Sequence, residues 1–119
     1  MFDSIYVLLG LLFIKHWYID FVNQSDEEVK HKGIYLDWLG VKHSLKHGIL
    51  TAVIMSFFVY YTVDAIVLGM IDCVLHYHID YVKMKYGNRD IKTPEFWAQL
   101  GFDQLAHYIC YLWLVSLIF

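Results

Sequence analysis

The chain is short of charge, nearly free of proline and without any linker-like tract. Of its 119 residues 18% are charged, and Pro94 is the single proline. With no Ser/Gly/Pro-rich stretch to mark a boundary, residues 1–119 read as one domain. The two cysteines, Cys73 and Cys110, stand in apolar surroundings at no metal-like spacing and read as small hydrophobic fillers. A net charge of −3 says nothing about nucleic acid, and no nucleic-acid partner is expected. The first segment lacks the basic start of a cleavable signal, and cleavage there would discard His16 and Asp20.

What the chain has instead is apolar surface: 59% hydrophobic and 18% aromatic residues. Residues 5–14, 48–63 and 104–119 carry no charge. Each run approaches the roughly 20 residues of a membrane span once the adjoining polar turn is included. Residues 65–82 form a fourth segment, interrupted by Asp72, His76, His78 and Asp80. A soluble helical bundle keeps a polar outer face, yet residues 49–63 and 108–119 have no charge on any face. The expected fold is therefore all-α: an integral membrane four-helix bundle of up-down topology, with helices at about 3–22, 42–62, 65–85 and 95–119. In the connection 23–41, Ser25 and Glu28 fit a capping box. Val29, Leu36, Trp38 and Leu39 with Lys30 and Lys32 predict a short interfacial helix between helices 1 and 2. Thr93-Pro94 fits a cap followed by proline at the first helical position. All nine basic residues fall in or beside the connections between helices 1 and 2 and helices 3 and 4. By the positive-inside rule these connections are cytoplasmic. That implies a multi-pass protein of the inner (plasma) membrane with both termini on the far side.

Four pairs of metal-ligating residue types recur at i,i+4 spacing, one per expected helix: His16/Asp20, His43/His47, His76/Asp80 and Asp103/His107. Residues four apart share a helix face, so each pair aims two ligands in one direction. Up-down topology brings all four pairs to the cytoplasmic end. Helix direction then sorts them into a deeper tier, His16, His47, His76 and His107, and a shallower one, Asp20, His43, Asp80 and Asp103. At 1.5 Å per residue the tiers stand about 6 Å apart, and side-chain reach can close this to the roughly 3.5–4 Å of a bridged two-metal site. A single metal with aspartates orienting the histidines is the simpler alternative. Asp72, one turn before His76, is a further candidate. His31 and His78 read as residues outside the centre, and Gly48, Gly69 and Gly101 as sites of close helix approach.

The elements His16-x3-Asp20-Phe21-x2-Gln24, His43-x3-His47, His76-x3-Asp80 and Phe102-Asp103-Gln104-x2-His107 resemble an uncharacterised family of small phage and bacterial inner-membrane proteins. More loosely, the chain looks like the membrane-bound metal-dependent hydrolases. These resemblances imply a membrane fold and a metal, and the second implies hydrolysis. Nitrogen and oxygen ligands suit one or two divalent transition ions, with zinc first and iron, manganese or nickel as alternatives. The expected activity is metal-dependent hydrolysis of a lipid-linked ester or phosphoester, with Asp20, Asp80 and Asp103 as candidate catalytic carboxylates. Lys15, Lys42, Lys46, Lys83 and Arg89 would be available to anionic headgroups. Two other readings use the same residues: a di-iron membrane oxidoreductase, and a non-catalytic phage or bacterial effector whose metal only pins the helices. Expected partners are membrane lipid or a lipid-linked substrate, a further copy of the chain, or a host membrane protein.

Overall fold

The computed structural model describes residues 4–119 and is all-helical, with five α-helices and no strand among those residues. The expected start of the first helix, residue 3, lies outside them. α1 (Ser4–Trp17) runs directly into a π-helical turn, Tyr18–Val22. That turn is marked by the Asn23 N–H donating to the Tyr18 carbonyl, five residues back, at 2.8 Å. α2 (Asp26–His31) begins at Ser25, whose Oγ accepts from the Glu28 N–H at 3.1 Å. The expected capping box is half made, because the Glu28 side chain turns inward to α3 instead of back to Ser25.

α3 (Trp38–Met55) starts ahead of the expected position 42 because Asp37 caps it, its Oδ1 accepting from the Leu39 N–H at 3.1 Å. It also ends well short of 62. Beyond Met55 the chain reads Phe57-Phe58-Val59-Tyr60-Tyr61, aromatic and β-branched residues that lose rotamer freedom in a helix. The Ser56 hydroxyl donates to the Val53 carbonyl at 2.6 Å, and Phe57 and Phe58 bond three residues back. The short helix expected across 29–39 is confined to α2. Leu36 sits in a left-handed turn at φ 61°, held by its N–H to the Tyr77 hydroxyl, and Trp38 and Leu39 belong to α3. α4 (Thr62–Tyr86) follows, then α5 (Pro94–Ser116), where Thr93 Oγ1 accepts from the Phe96 N–H at 3.4 Å and Pro94 opens the first turn.

The four long helices alternate in direction. Leu8 and Leu12 of α1 pack with Met55 at the end of α3, Ala65 and Leu68 at the start of α4, and Tyr111, Leu114 and Val115 late in α5. α3 and α4 approach closely through paired glycines: a Cβ on Gly48 would lie 2.7 Å from the Gly69 carbonyl oxygen, and one on Gly69 would lie 2.8 Å from the Ala52 Cβ. Gly101 has open space instead, so it plays no such part. Two helical segments, Ile5–Val22 and Thr62–Tyr86, are long and apolar enough to cross a membrane. A third of each is buried inside the fold. α3 gives its first turns to Lys42, His43, Lys46 and His47, and α5 carries Gln99, Asp103, Gln104 and His107, so the same standard does not admit them.

Candidate metal centre

Where the alternating helices place their polar turns together, eight side chains converge. His16 comes from the end of α1, Asp20 from the π-helical turn, His43 and His47 from the start of α3, His76 and Asp80 from the second half of α4, and Asp103 and His107 from α5. All eight are buried, the most accessible being Asp20 at 8%. Their donor atoms fall into three groups: Asp20/His43/His47/His76, His16/His76/His107 and Asp80/Asp103/His107, the atoms of each within 4.8 Å of one another. His76 and His107 each belong to two groups, so the three are continuous.

Asp20 is the hub of the first group. Its Oδ1 lies 2.9 Å from His43 Nε2, 2.8 Å from His47 Nε2 and 3.6 Å from His76 Nε2, while its Oδ2 lies 3.1 Å from His16 Nε2. Asp80 spans two groups. Its Oδ1 is 3.1 Å from His107 Nε2, and its Oδ2 is 3.2 Å from His76 Nε2 and 3.7 Å from His43 Nε2. Asp103 Oδ1 stands 3.5 Å from His107 Nε2. The imidazoles of His47 and His76 stack at 3.6 Å between centroids, and those of His76 and His107 at 4.0 Å. The two expected tiers thus interleave, the carboxylates reaching down among the deeper histidines. The wider π turn under Asp20 belongs to this arrangement; such turns are frequent at functional sites.

A ring of partners surrounds the eight. Glu28, 4% exposed, lies 3.2 Å from His43 Nδ1 and accepts from Lys46 Nζ at 2.8 Å. Burial opposes its charge, but the hydrogen bonds from Lys46 and His43 outweigh that and hold its carboxyl below the ordinary range. A carboxylate on the far nitrogen of a ligating imidazole is the usual way such a ring is oriented. Tyr111 Oη lies 2.8 Å from His16 Nδ1, and Gln104 Oε1 2.7 Å from His16 Nε2. Both nitrogens of His16 are therefore engaged. Lys32 Nζ pairs with Asp80 Oδ2 at 3.0 Å and Lys83 Nζ with Asp103 Oδ2 at 3.3 Å. On the deep side Lys15 Nζ donates to Asp72 Oδ2 at 3.1 Å and Thr51 Oγ1 at 3.0 Å, and lies 4.7 Å over the Tyr111 ring.

The donor set fits a transition ion on two counts. Nitrogens bound at about 2.0–2.1 Å to one tetrahedral ion stand about 3.3 Å apart; the closest His–carboxylate separations of the first and third groups run from 2.8 to 3.7 Å, and the donor atoms of each group lie within 4.8 Å of one another. Buried polar atoms are normally paired. Here His76 Nδ1 and Nε2, His47 Nδ1, Asp80 Oδ2 and Asp103 Oδ1 have no hydrogen-bond partner, although Lys32 neutralises Asp80. These buried His/Asp groups could hold a metal ion.

All eight residues selected by spacing stand at the centre. His31 stands apart, 3.0 Å from Asp37, and His78 is exposed, 3.1 Å from the Tyr35 hydroxyl. Asp72 is occupied by Lys15 and Thr51 rather than by the central histidines. Lys15 and Lys32, both 5% exposed, are internal counter-charges, so Lys15 is not the headgroup contact expected of it. The Lys15–Asp72 link was signalled only by adjacency: Lys15 precedes His16, and Asp72 stands four before His76. Gln104 stood in the Phe102-Asp103-Gln104-x2-His107 element without a role, and nothing in local spacing pointed to Glu28, Lys32 or Tyr111 as partners of the centre.

A model of the family described as "Protein of unknown function (DUF3307)" matches residues 8–119, and the chain belongs to that family. No curated protein matches it, and no solved structure does.

Proposed function

We propose that this chain is a multi-pass inner-membrane metalloprotein whose dinuclear His/Asp centre, near the cytoplasmic face, hydrolyses a lipid-linked ester or phosphoester. The observation that carries the reading is the convergence of eight buried His and Asp side chains from four helices, with Asp80 directing one oxygen toward His107 and the other toward His43 and His76. The membrane part is supported by the outward apolar surface of Ile5–Val22 and Thr62–Tyr86 and by the exposed Leu105, Ile109, Leu112 and Trp113 of α5. Lys30, Lys42, Lys85, Arg89 and Lys92 remain exposed at the end that carries the centre, which supports a cytoplasmic placement.

Asp20, His43, His47, His76, Asp80, Asp103 and His107 are the residues that would hold the ions. Zinc, iron and manganese all suit these donors. Such an ion supplies Lewis acidity, lowering the pKa of a coordinated water and polarising a carbonyl or phosphoryl oxygen. The chain's own part is to fix the donors and to place a base. Glu28 orients His43, Tyr111 and Gln104 orient His16, and Lys32 and Lys83 limit repulsion among the carboxylates. Asp103 borders a surface groove; its Oδ2 accepts from Lys83 and Gln104 while its Oδ1 has no hydrogen-bond partner, so Oδ1 is the carboxylate oxygen placed to accept a proton. A second reading, in which the metal only pins the helices, is favoured by the burial of all eight donors.

The test is turnover of lipid-linked esters, phosphoesters and pyrophosphates by purified protein supplied with zinc or manganese. Asp103→Asn, which still coordinates but is a poor base, is expected to keep metal while losing at least about 100-fold in rate. A metal-loaded wild type inert across that panel would leave the pinning role.

A further inference from the structure

The loop side of the centre is closed. Glu28 and Lys32 insert from above, at 4% and 5% exposure, and the imidazoles below are wholly buried. A route of approach lies beside Asp103. A groove of about 640 Å³, open along one side, runs between α4 and α5, a volume in the range of small-molecule sites. Its walls are apolar, with Ile79 and Val82 from α4 facing Phe102 and Ala106 from α5. Set among them are Lys83 and Asp103. Asp103 is itself a member of the Asp80/Asp103/His107 group, so the groove abuts the centre at that residue. Between His78 and Tyr86 of α4, both in its lining, the helix rises about 12 Å.

We infer that this groove is a lateral entrance that takes an anionic phospholipid, with its phosphate at Lys83 and one acyl chain laid along Ile79, Phe102 and Ala106. The site has the polarity of such a molecule. A single ammonium sits towards the loop end, and apolar wall continues away from it. Lys83 gives one bond to Asp103 at 3.3 Å and its side chain is 23% exposed, so donors remain for a phosphate oxygen. A free phosphate would leave the apolar wall without purpose. A helix of a second copy would cover that wall but would have to bring a carboxylate to Lys83. A lipid seated this way carries its ester and phosphoester bonds past Asp103. The inference therefore names the substrate class of the reading above and rests on it for the reaction, though the binding itself requires no metal.

The experiment is native mass spectrometry of the full chain in detergent, offered phosphatidylglycerol, phosphatidylcholine of the same chains, or inorganic phosphate, with metal content read on the same samples. The wild type is expected to retain phosphatidylglycerol about fivefold better than phosphatidylcholine, the worth of one lysine near a headgroup. Ala106→Trp, filling the groove, should abolish retention of both lipids and leave metal content unchanged. Lys83→Gln should keep retention but erase the preference. Ala98→Trp, at the loop end of the same groove, repeats the block if Ala106→Trp does not fold.

Wild-type retention in both tryptophan variants overturns the inference, as does equal retention of the two lipids by the wild type. So does displacement of phosphatidylglycerol by inorganic phosphate, or a wild-type dimer that Ala106→Trp converts to monomer with no lipid bound. Metal-free protein that still holds phosphatidylglycerol through the groove supports the entrance and counts against the metal reading. Metal-loaded protein with no groove-dependent lipid overturns the entrance alone.

Discussion

The two ends of the helical interior hold together in different ways. At the end remote from the polar loops the interior is Leu8, Leu12, Met55, Ala65, Leu68, Leu114 and Val115, with the Tyr111 ring at the boundary. At the other end it is five histidines, three aspartates, Glu28 and the buried Lys32. The first end is stabilised by excluded volume and close contact, and tolerates no charge. The second gains little from apolar burial and depends on every polar group finding a counterpart. Between them lie Lys15, Thr51 and Asp72, a buried pair with a hydroxyl between its members. The contrast shows that this fold separates the task of holding four helices together from the task of presenting donors.

The seam is where the largest effect is expected. Asp72→Ala leaves the Lys15 ammonium buried and uncompensated, and should cost about 3–5 kcal/mol in thermal or denaturant unfolding. Replacing both by apolar residues, Lys15→Met with Asp72→Leu, should recover most of that loss. If the single variant cost nothing, the seam would be hydrated and the contrast between the ends would blur.

Within the apolar end, Leu12→Ala should cost about 2–4 kcal/mol through lost contact and a residual cavity. Metal analysis of the same preparation should show no change, because Leu12 belongs to the apolar cluster and is not one of the donors. Loss of metal with Leu12 would mean that the two ends are one cooperative unit.

The smallest effect belongs to the α2–α3 connection, outside both ends. Asp37 caps α3, and its hydrogen bond with His31 holds its carboxyl below the ordinary range. A carboxylate depressed in the folded state adds stability above its unfolded pKa of about 3.9 and loses it as pH falls through the folded value. Asp37→Asn keeps the cap acceptor and should flatten the melting temperature below about pH 4 relative to wild type. Parallel acid limbs in the two proteins would remove Asp37 from the account.

Much of this contrast was legible in the chain itself. The i,i+4 pairs and the alternation of four helices were enough to bring His16, Asp20, His43, His47, His76, Asp80, Asp103 and His107 together, because both follow from helix geometry. The cap at Thr93-Pro94 was legible for the same local reason. What could not be read depended on distant residues. Glu28 looked like the return arm of a capping box, yet Lys46 and His43 offered it better partners. Lys15 and Lys32 looked like loop charges, and only the packed helices make them internal. The π turn at Tyr18–Val22 has no local signature, since it follows from where Asp20 must reach. The early end of α3 was masked by an apolar run that continues past the helix.

The central claim, that the polar end is completed by a metal, is tested most directly by metal content per chain in protein purified in detergent without chelator. The account predicts one or two first-row transition ions in the wild type and in His31→Ala. It predicts loss of metal together with a lower melting temperature in His47→Ala and His107→Ala, where removing a donor leaves its buried partners unpaired. Equal metal content in all four proteins, or none in the wild type, would contradict it.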